Sequence, residues 1–300
     1  MNLISRRDFV KTASATAVAA AILKQTPQLF ADPLGLPLGL QLYSVRDLLP
    51  KDFEGTLQQL AKIGYKEVEA AGYFGHTAPQ VKQAMQNAGL NCVSAHYSLE
   101  DLRPKLDETI AFCKDAGIQY IVCSSPMAKD PSRVTTTDFF KKMQALTMED
   151  WKWNAEQFNQ IGEKVSAAGL RFGYHNHRAE FHEIDGQRPY DVLMQLTDAK
   201  HVTFEMDCGW VLAGGGDPVE CLKKYGKRIS MLHVKDFKLS KTGGEPISVE
   251  MGRDGDIDYL PIFAAGKGHI KHYFVEQEKF DMPAMDALKI DAEYMKNMTV

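Results

Sequence analysis

Short apolar runs alternate with amphipathic segments along the chain after residue 37. Each run has the length of a buried strand, and the segments between them place apolar residues at the helical period. Phe53, Leu57, Leu60 and Ala61 form one such helical stripe. The pattern predicts eight strands, at residues 38–45, 65–70, 91–97, 120–125, 170–177, 201–207, 229–236 and 272–278.

Four of the predicted helices end in the same way, with a glycine just before the next strand. The joins read AKIGY, QNAGL, KDAGI and SAAGL, as expected of a repeated helix-to-strand unit. Eight strand–helix units over residues 38–297 predict an α/β fold, a single-domain (β/α)8 TIM barrel. A doubly wound open sheet is the alternative, but no G-x-G-x-x-G follows the first strand, which argues against a dinucleotide-binding fold.

Residues 237–258 are the longest stretch without a helical or strand period. The stretch is rich in glycine and charge and follows the seventh predicted strand. We expect it to form a loop over the mouth of the barrel.

Composition adds little to this prediction but excludes some partners. Hydrophobic residues make up 44% of the chain and charged residues 25%, which is ordinary for a globular protein with a sizeable core. The net charge of −4 gives no reason to expect a nucleic acid as partner. The five cysteines are an odd number without a C-x-x-C pair, so no disulfide framework is expected.

The N-terminus does not fit the barrel pattern. Arg6 and Arg7 precede an alanine-rich apolar stretch at 12–23, which is too short to span a bilayer comfortably. Residues 1–31 resemble a twin-arginine (Tat) signal peptide, which predicts an exported, periplasmic protein without stable membrane insertion after signal removal. These residues carry four basic groups and one acid, so removing their +3 from −4 leaves the rest of the chain near −7.

Polar residues gather at the carboxyl-terminal ends of the predicted strands, where a TIM barrel keeps its chemistry. His175 and His177 end the fifth strand, and Glu205 and Asp207 end the sixth. Residues i and i+2 of a strand point to one face, so each pair shares a face. Further polar residues at these ends are Gln41, Tyr43, Glu67, Glu69, His96, His233, Lys235, Glu276 and Glu278.

A divalent cation would account for so many ionisable groups inside a barrel. A single strand histidine is often only a hydrogen-bonded core residue, and a strand-end aspartate is often only a helix cap. Several buried charges without partners are costly, however, and a metal ion removes that cost. Mixed imidazole and carboxylate ligands suit Mn²⁺, Co²⁺, Fe²⁺, Zn²⁺ or Mg²⁺, and the sequence does not choose among them.

The ordered motifs YHNHRAEF, EMDCGW, LHVKDF and FVEQE resemble those of the xylose isomerase-like TIM barrels, over roughly residues 38–297. This family includes sugar phosphate isomerases and epimerases, inosose and dehydroshikimate dehydratases, and endonuclease IV. The resemblance implies one divalent metal ion held by Glu, Asp, His and Glu from strands five to eight. The last three ligands are then Asp207, His233 and Glu276.

The first ligand position departs from the family pattern. A histidine of the HNH sequence stands where the family usually has glutamate, and the candidates are His175, His177 and, from the following loop, Glu180. We take His175 as the metal ligand and leave His177 free as an acid or base. Lys235 is expected to hold a substrate oxygen.

The resemblance implies an isomerase or epimerase of a sugar or keto-sugar that removes a proton alpha to a carbonyl and passes through an enediolate. In the ketose epimerases two metal-bound glutamates exchange the proton, whereas this chain has a histidine for one of them. The alternative is therefore a lyase, dehydratase or hydratase that acts on a 3-keto-sugar or inosose-like substrate. The expected catalytic residues are His177, Glu276 and Lys235, and the expected substrate-binding residues are Tyr43, His96, Glu180 and Trp210.

Two further functions are weaker. An endonuclease IV-like enzyme needs more metal ligands and a basic surface, which the negative charge opposes. A barrel that only binds sugar would not need Asp207, His233 and Glu276 together. The expected partner is a small sugar or keto-sugar, and a homodimer would fit the family.

Overall fold

Eight parallel strands close into a barrel in the computed structural model, which describes residues 34–240 and 244–298. The strands neighbour one another in the order 39–41, 272–275, 229–234, 202–207, 171–175, 120–125, 91–98 and 67–70, and a separate two-stranded sheet pairs 236–238 with 247–249. Helices alternate with the barrel strands along the chain. The prediction of a single-domain (β/α)8 barrel is confirmed.

The elements have the following bounds. The strands are β1 Gly39–Gln41, β2 Glu67–Ala70, β3 Asn91–Ser98, β4 Tyr120–Ser125, β5 Arg171–His175, β6 Val202–Asp207, β7 Ile229–Val234, β8 Asp236–Lys238, β9 Ile247–Val249 and β10 His272–Val275. The helices are α1 Phe53–Ile63, α2 Ala78–Ala88, α3 Leu99–Ala116, α4 Phe139–Gln144, α5 Met148–Ala167, α6 Pro189–Leu196, α7 Cys208–Ala213, α8 Pro218–Tyr225, α9 Tyr259–Gly266 and α10 Ala284–Asn297.

The barrel helices are amphipathic and end as the sequence predicts. Helix α1 begins after Asp52, whose carboxylate accepts a hydrogen bond from Gly55 N at 2.9 Å, and it buries Phe53 and Leu57. It ends at Gly64, where φ is +121°. The glycines of the other three joins, Gly89, Gly117 and Gly169, also have positive φ, which favours glycine over any other residue.

Several strands are shorter than their apolar runs. The first run leaves the barrel after Gln41, because the Gln41 side chain accepts a hydrogen bond from Tyr43 N at 3.0 Å and starts a 3₁₀ turn. Likewise β5 stops at His175 and β10 at Val275. His177 and Glu276 therefore stand on loops that follow the strands, where side-chain alternation no longer sets their direction.

Two layers fill the inside of the barrel. A small apolar cluster, separate from the main core between strands and helices, contains Val122, Met231 and Phe274. Met231 lies two residues before His233 on β7, so the ionisable residue follows the apolar one along the same face of that strand.

Two segments extend beyond the carboxyl-terminal ends of the strands. The predicted loop at 237–258 is only partly a loop, because β8 and β9 pair within it as an antiparallel hairpin. The second segment, 126–147, was not singled out from the sequence. It contains the short helix α4, and its backbone is fastened to α5 by Asn154, which bonds Met127 N and Met127 O at 3.2 and 2.7 Å.

The remaining predictions concern cysteines and the N-terminus. All five cysteines are free. Within the described ranges, no helix combines the length and apolar character that crossing a bilayer requires. The predicted signal peptide at 1–31 lies outside the described residues.

Candidate active site

A cavity of about 440 Å³ opens at the carboxyl-terminal ends of the strands. Its size lies in the range usual for small-molecule sites. Five of the residues predicted to form the site line it: Tyr43, His96, His175, His177 and Glu276. The other lining residues are Ala71, Tyr97, Ser98, Ser124, Ser125, Phe139, Phe140 and Glu278.

The predicted metal ligands meet at one wall of this cavity. Ligand atoms of Asp207, His233 and Glu276 lie within 4.8 Å of one another, and all three residues are buried. His233 Nδ1 is 3.3 Å from Glu276 Oε2 and 3.8 Å from Asp207 Oδ2. His175 Nε2 is 3.8 Å from the same Asp207 oxygen. We call these four residues the outer group.

Two buried carboxylates contact His175 and His233 at the ring nitrogens that do not face the outer group. Glu205 Oε2 lies 3.0 Å from His175 Nδ1, and Glu69 Oε2 lies 2.6 Å from His233 Nε2. His96 Nε2 bridges the two carboxylates at 2.8 and 2.7 Å. The sequence offered Glu69 and Glu205 as strand-end acids but assigned them no role. The signal was the spacing of Glu205 two residues before Asp207.

The inner set His96, His175, Glu205 and His233 is also compact enough for a cation, with ligand atoms within 4.8 Å. Contacts of 2.6 to 3.0 Å are, however, the lengths of hydrogen bonds between imidazole and carboxylate. Only the outer group includes Glu276, which lines the cavity. The geometry thus matches a metal site whose histidines are oriented by second carboxylates.

Burial and mutual contact shift the pKa values of the inner set strongly. Burial acts against the charged form of His96, but Glu69 and Glu205 raise its pKa to about 9. Burial, followed by the neighbouring Glu69, raises the pKa of Glu205 to about 7. Burial opposes ionisation of Glu69 as well, yet His96 and His233 hold its pKa below its usual range. The barrel interior therefore holds positively and negatively charged side chains in direct contact.

Lys235 follows β7 directly and contacts two carboxylates of the outer group. Its Nζ lies 2.9 Å from Asp207 Oδ2, 2.5 Å from Glu276 Oε2 and 2.7 Å from Glu278 Oε1. Although burial lowers the pKa of a lysine, these three carboxylates raise the pKa of Lys235 well above its usual value. A fixed positive charge thus sits beside the carboxylates that would bind a metal.

His177 stands apart from these ion pairs. Its Nδ1 is buried and has no hydrogen-bond partner among the described residues. Burial, then the charge of Lys235, lowers the pKa of His177 to about 3, so the imidazole is neutral at neutral pH. The rings of His175 and Phe139 lie 5.0 and 4.7 Å away. The ring therefore lines the cavity with one nitrogen that no described residue engages.

Glu180 does not reach the cavity, which corrects the expectation that it contacts substrate. Its carboxylate is fully buried and accepts hydrogen bonds from Tyr174 Oη at 2.6 Å and from His177 N at 2.8 Å. A 3₁₀ turn at Ala179–Phe181 directs the side chain inward. Glu180 therefore fixes the loop that carries His177 and takes no place in the outer group.

The two predicted aromatic contacts differ. Tyr43 lines the cavity and is 43% exposed, with the Arg46 guanidinium 4.2 Å from its ring centre. Trp210 is buried behind the wall, where its Nε1 donates to Glu278 at 3.1 Å and its ring lies 5.2 Å from Lys235 Nζ. Tyr43 therefore borders the cavity, whereas Trp210 packs behind Phe140 and Glu278, which line it.

The donor set of the outer group fits a divalent cation. It offers two imidazole nitrogens and two carboxylates, all buried, and two of the residues lie at the ends of adjacent strands. The other ring nitrogen of each histidine lies at hydrogen-bond distance from a buried carboxylate, as is common in metal-binding histidines. Lys235 contacts Asp207 and Glu276 as well and would compete with a cation for them.

A closed parallel barrel with its ionisable cavity at the carboxyl-terminal strand ends defines a TIM-barrel enzyme. More particularly, the chain belongs to the xylose isomerase-like TIM barrel family, whose sequence model matches residues 57–297. An inosose dehydratase from Clostridium perfringens is 28% identical over 230 residues, which cover 70% of this chain and 76% of that protein.

Solved structures show the same fold. A sugar phosphate isomerase/epimerase from Parabacteroides distasonis is 26% identical, with a TM-score of 0.71 over 87% of this chain and 93% of that one. The IolI protein, solved with a zinc atom, has a TM-score of 0.63 over 86% of this chain and 96% of that one. It is 14% identical, so this second likeness concerns the fold alone. Isomerase or epimerase and dehydratase relatives are thus both present.

Proposed function

We propose that this protein is a metal-dependent lyase that eliminates a group beta to the carbonyl of a keto-sugar or inosose-like substrate. The sequence favoured an isomerase or epimerase and gave the lyase as the alternative, and we now prefer the lyase. The similarity to inosose dehydratases supports the change. So does the site, because only one carboxylate of the outer group lines the cavity and a histidine stands at the position of the second.

The position of His177 carries the proposal, because it lines the cavity and its buried Nδ1 has no hydrogen-bond partner among the described residues. Epimerisation by the two-glutamate route needs an acid and a base on opposite faces of one carbon. His177 instead offers one acid/base group, beside His175 and at the edge of the outer group. One group that takes a proton and returns it to a departing oxygen suits elimination.

Each residue then has a stated task. His177 removes the proton alpha to the carbonyl, and Lys235, which pairs with Glu276 at the cavity wall, supplies positive charge close to where negative charge develops. His175, Asp207, His233 and Glu276 would hold the cation. When bound, a divalent metal polarises the carbonyl and makes the neighbouring proton more acidic. The metal is not specified, because mixed nitrogen and oxygen ligands suit several ions.

The test is a product analysis. The purified protein is supplied with Mn²⁺, Co²⁺, Zn²⁺, Fe²⁺ or Mg²⁺ and incubated with inososes and 3-keto-sugars in D₂O. We expect an unsaturated carbonyl product in ultraviolet and NMR spectra, and we expect Asp207→Asn to abolish it. A saturated diastereomer that carries deuterium alpha to the carbonyl would replace the lyase with an epimerase. Glu220→Gln, on the partly exposed surface of α8, is the control.

An isomerase or epimerase is the second candidate. The similarity to the sugar phosphate isomerase/epimerase from Parabacteroides distasonis favours it. In that case Glu276 would act as the second acid/base, facing the same cavity as His177. The experiment above distinguishes the two reactions.

We also propose that the protein is exported by the twin-arginine route. Arg6, Arg7 and the alanine-rich stretch after them support this proposal. Fusing residues 1–31 to a reporter and fractionating the cells tests it. Replacing both arginines by lysine should retain the reporter in the cytoplasm, and equal export of the variant would contradict the proposal. The expected homodimer stays a prediction that sedimentation analysis can check.

A further inference from the structure

A second cavity adjoins the active-site cavity and has no task in the reaction described above. Its volume is about 370 Å³, against about 440 Å³ for the active-site cavity. Ser98, Ser125 and Phe139 line both. The two cavities are therefore neighbours that share a wall, and His177 lies on the active-site side of it, 4.7 Å from the Phe139 ring centre.

The lining of the second cavity is mixed, with apolar and polar residues together. Met127, Val134 and Leu146 provide apolar surface, while Glu100 and Lys142 bring charge of both signs. Such a lining suits an uncharged molecule that has apolar faces and hydroxyl groups, as sugars and other alcohols have. The remaining lining residues are Pro126, Ala128, Pro131 and Thr137.

Several hydrogen bonds hold the segment that lines this cavity. Segment 126–147 supplies most of the lining, and α5 holds it at several points. Besides Asn154 on Met127, buried Asp150 accepts hydrogen bonds from Lys129 N at 2.9 Å and from Thr147 N at 2.8 Å, and pairs with Arg133. A fixed lining of this kind preserves the shape of a cavity whether or not a ligand is bound.

We infer that the second cavity binds the leaving group, and that the substrate is a keto-glycoside with an O-linked alcohol or sugar. The inference rests on the proposed lyase function and names its substrate class. A free keto-sugar or inosose would occupy the active-site cavity alone. A group on the oxygen of the beta carbon would extend past Ser98, Ser125 and Phe139, which border both cavities, into the second cavity.

The reaction balances without a further reactant. In a 3-keto-glycoside, His177 takes the proton from C2, and the C2–H electron pair becomes the C1–C2 double bond. The bond from C1 to the glycosidic oxygen breaks with its electron pair. The departing alkoxide receives one proton from the imidazolium of His177. The products are an unsaturated keto-sugar and a free alcohol, with no net oxidation or reduction.

Substrate size and a cavity-filling variant test the inference together. The wild-type protein, loaded with the metal that supports turnover, is assayed on methyl 3-keto-glucoside and on the matching 3-keto disaccharide. Val134→Trp and Thr137→Trp fill the second cavity from positions outside the catalytic group. Val134→Thr, which keeps the size of the side chain, is the control.

We expect the wild type to prefer the disaccharide, and each tryptophan variant to lower kcat/KM for it by about tenfold or more, as lost contacts in a specificity pocket do. The methyl substrate should react within about twofold of wild type in every variant. Equal kcat/KM for both substrates, unchanged in both tryptophan variants, overturns the leaving-group cavity but leaves the lyase standing. No elimination of any substrate overturns the lyase and the inference together.

Discussion

Glu205 Oε2 lies 3.0 Å from His175 Nδ1, so the nitrogen of His175 that faces Asp207 is the one left to bind a cation. The carboxylate fixes both the tautomer and the direction of the ring. Removing such a partner typically lowers metal affinity by about 10- to 100-fold. We therefore expect Glu205→Gln to weaken binding of one divalent metal ion by that factor, measured by metal titration calorimetry.

Glu67→Gln is the control for Glu205, because Glu67 is also a barrel carboxylate paired with a histidine, His272, at 2.7 Å. It lies at the start of β2, away from the cavity. The metal affinity of Glu67→Gln should equal that of the wild-type protein. If Glu205→Gln removed the metal completely while Asp207→Asn kept it, the cation would belong to the inner set.

Lys235→Met should separate metal binding from turnover. The ammonium competes for Asp207 and Glu276, so its loss should leave the metal bound at least as tightly. Turnover should fall by about 10²- to 10³-fold, the usual cost of removing one group that stabilises developing negative charge. Lys238→Met, at a surface ion pair with Asp254, should change neither. Loss of metal from Lys235→Met would show that the lysine supports the site rather than the reaction.

His177→Ala and His175→Ala should both lose activity, but for different reasons. We expect His177→Ala to bind metal normally and to lose about 10²- to 10⁴-fold in kcat, the range for a missing general base. His175→Ala should lose the metal as well. Metal analysis by mass spectrometry and single-turnover rates measure the two effects, with exposed His182→Ala as control. Equal metal loss in both variants would make His177 a ligand.

Glu180 should make stability depend on pH. Burial raises its pKa from 4.5 to about 8, so the folded protein keeps the proton that the unfolded chain has released. Its contribution is complete below about pH 4.5 and is lost as the pH rises toward about 8. Between about pH 5 and about pH 8, the melting temperature of wild type should fall by several degrees more than that of Glu180→Gln.

Exposed Glu183→Gln serves as the comparison for Glu180→Gln, since the two positions lie on the same loop. Its melting temperature should follow wild type at each pH. Parallel curves for wild type and Glu180→Gln would mean that Glu180 is ionised in the folded protein.

The barrel and its polar strand ends could be predicted from the sequence because they depend on local patterns. Apolar runs, helical stripes and glycine joins such as Gly89 repeat along the chain, and Asp207 and His233 end such runs. The contact of Glu69 could not be predicted, because it depends on barrel closure, which brings Glu69 Oε2 on β2 within 2.6 Å of His233 Nε2 on β7.

The conformations of the loops could not be predicted from the sequence either. The inward direction of Glu180 follows from a single 3₁₀ turn, which has no periodic signal. The six residues of α4 are likewise too few for a period, although they bring Phe139 to the wall between the two cavities. These features arise from tertiary contacts rather than from local spacing.

The ionisable interior also limits how this barrel can diversify. Most TIM barrels fill the same space with branched aliphatic side chains, which tolerate exchange for one another. Here Glu69, His96 and Glu205 hold one another in place, and losing one leaves a buried charge unpaired. New specificities in descendants of this chain are therefore expected to arise by changes in segment 126–147, while the strand ends remain as they are.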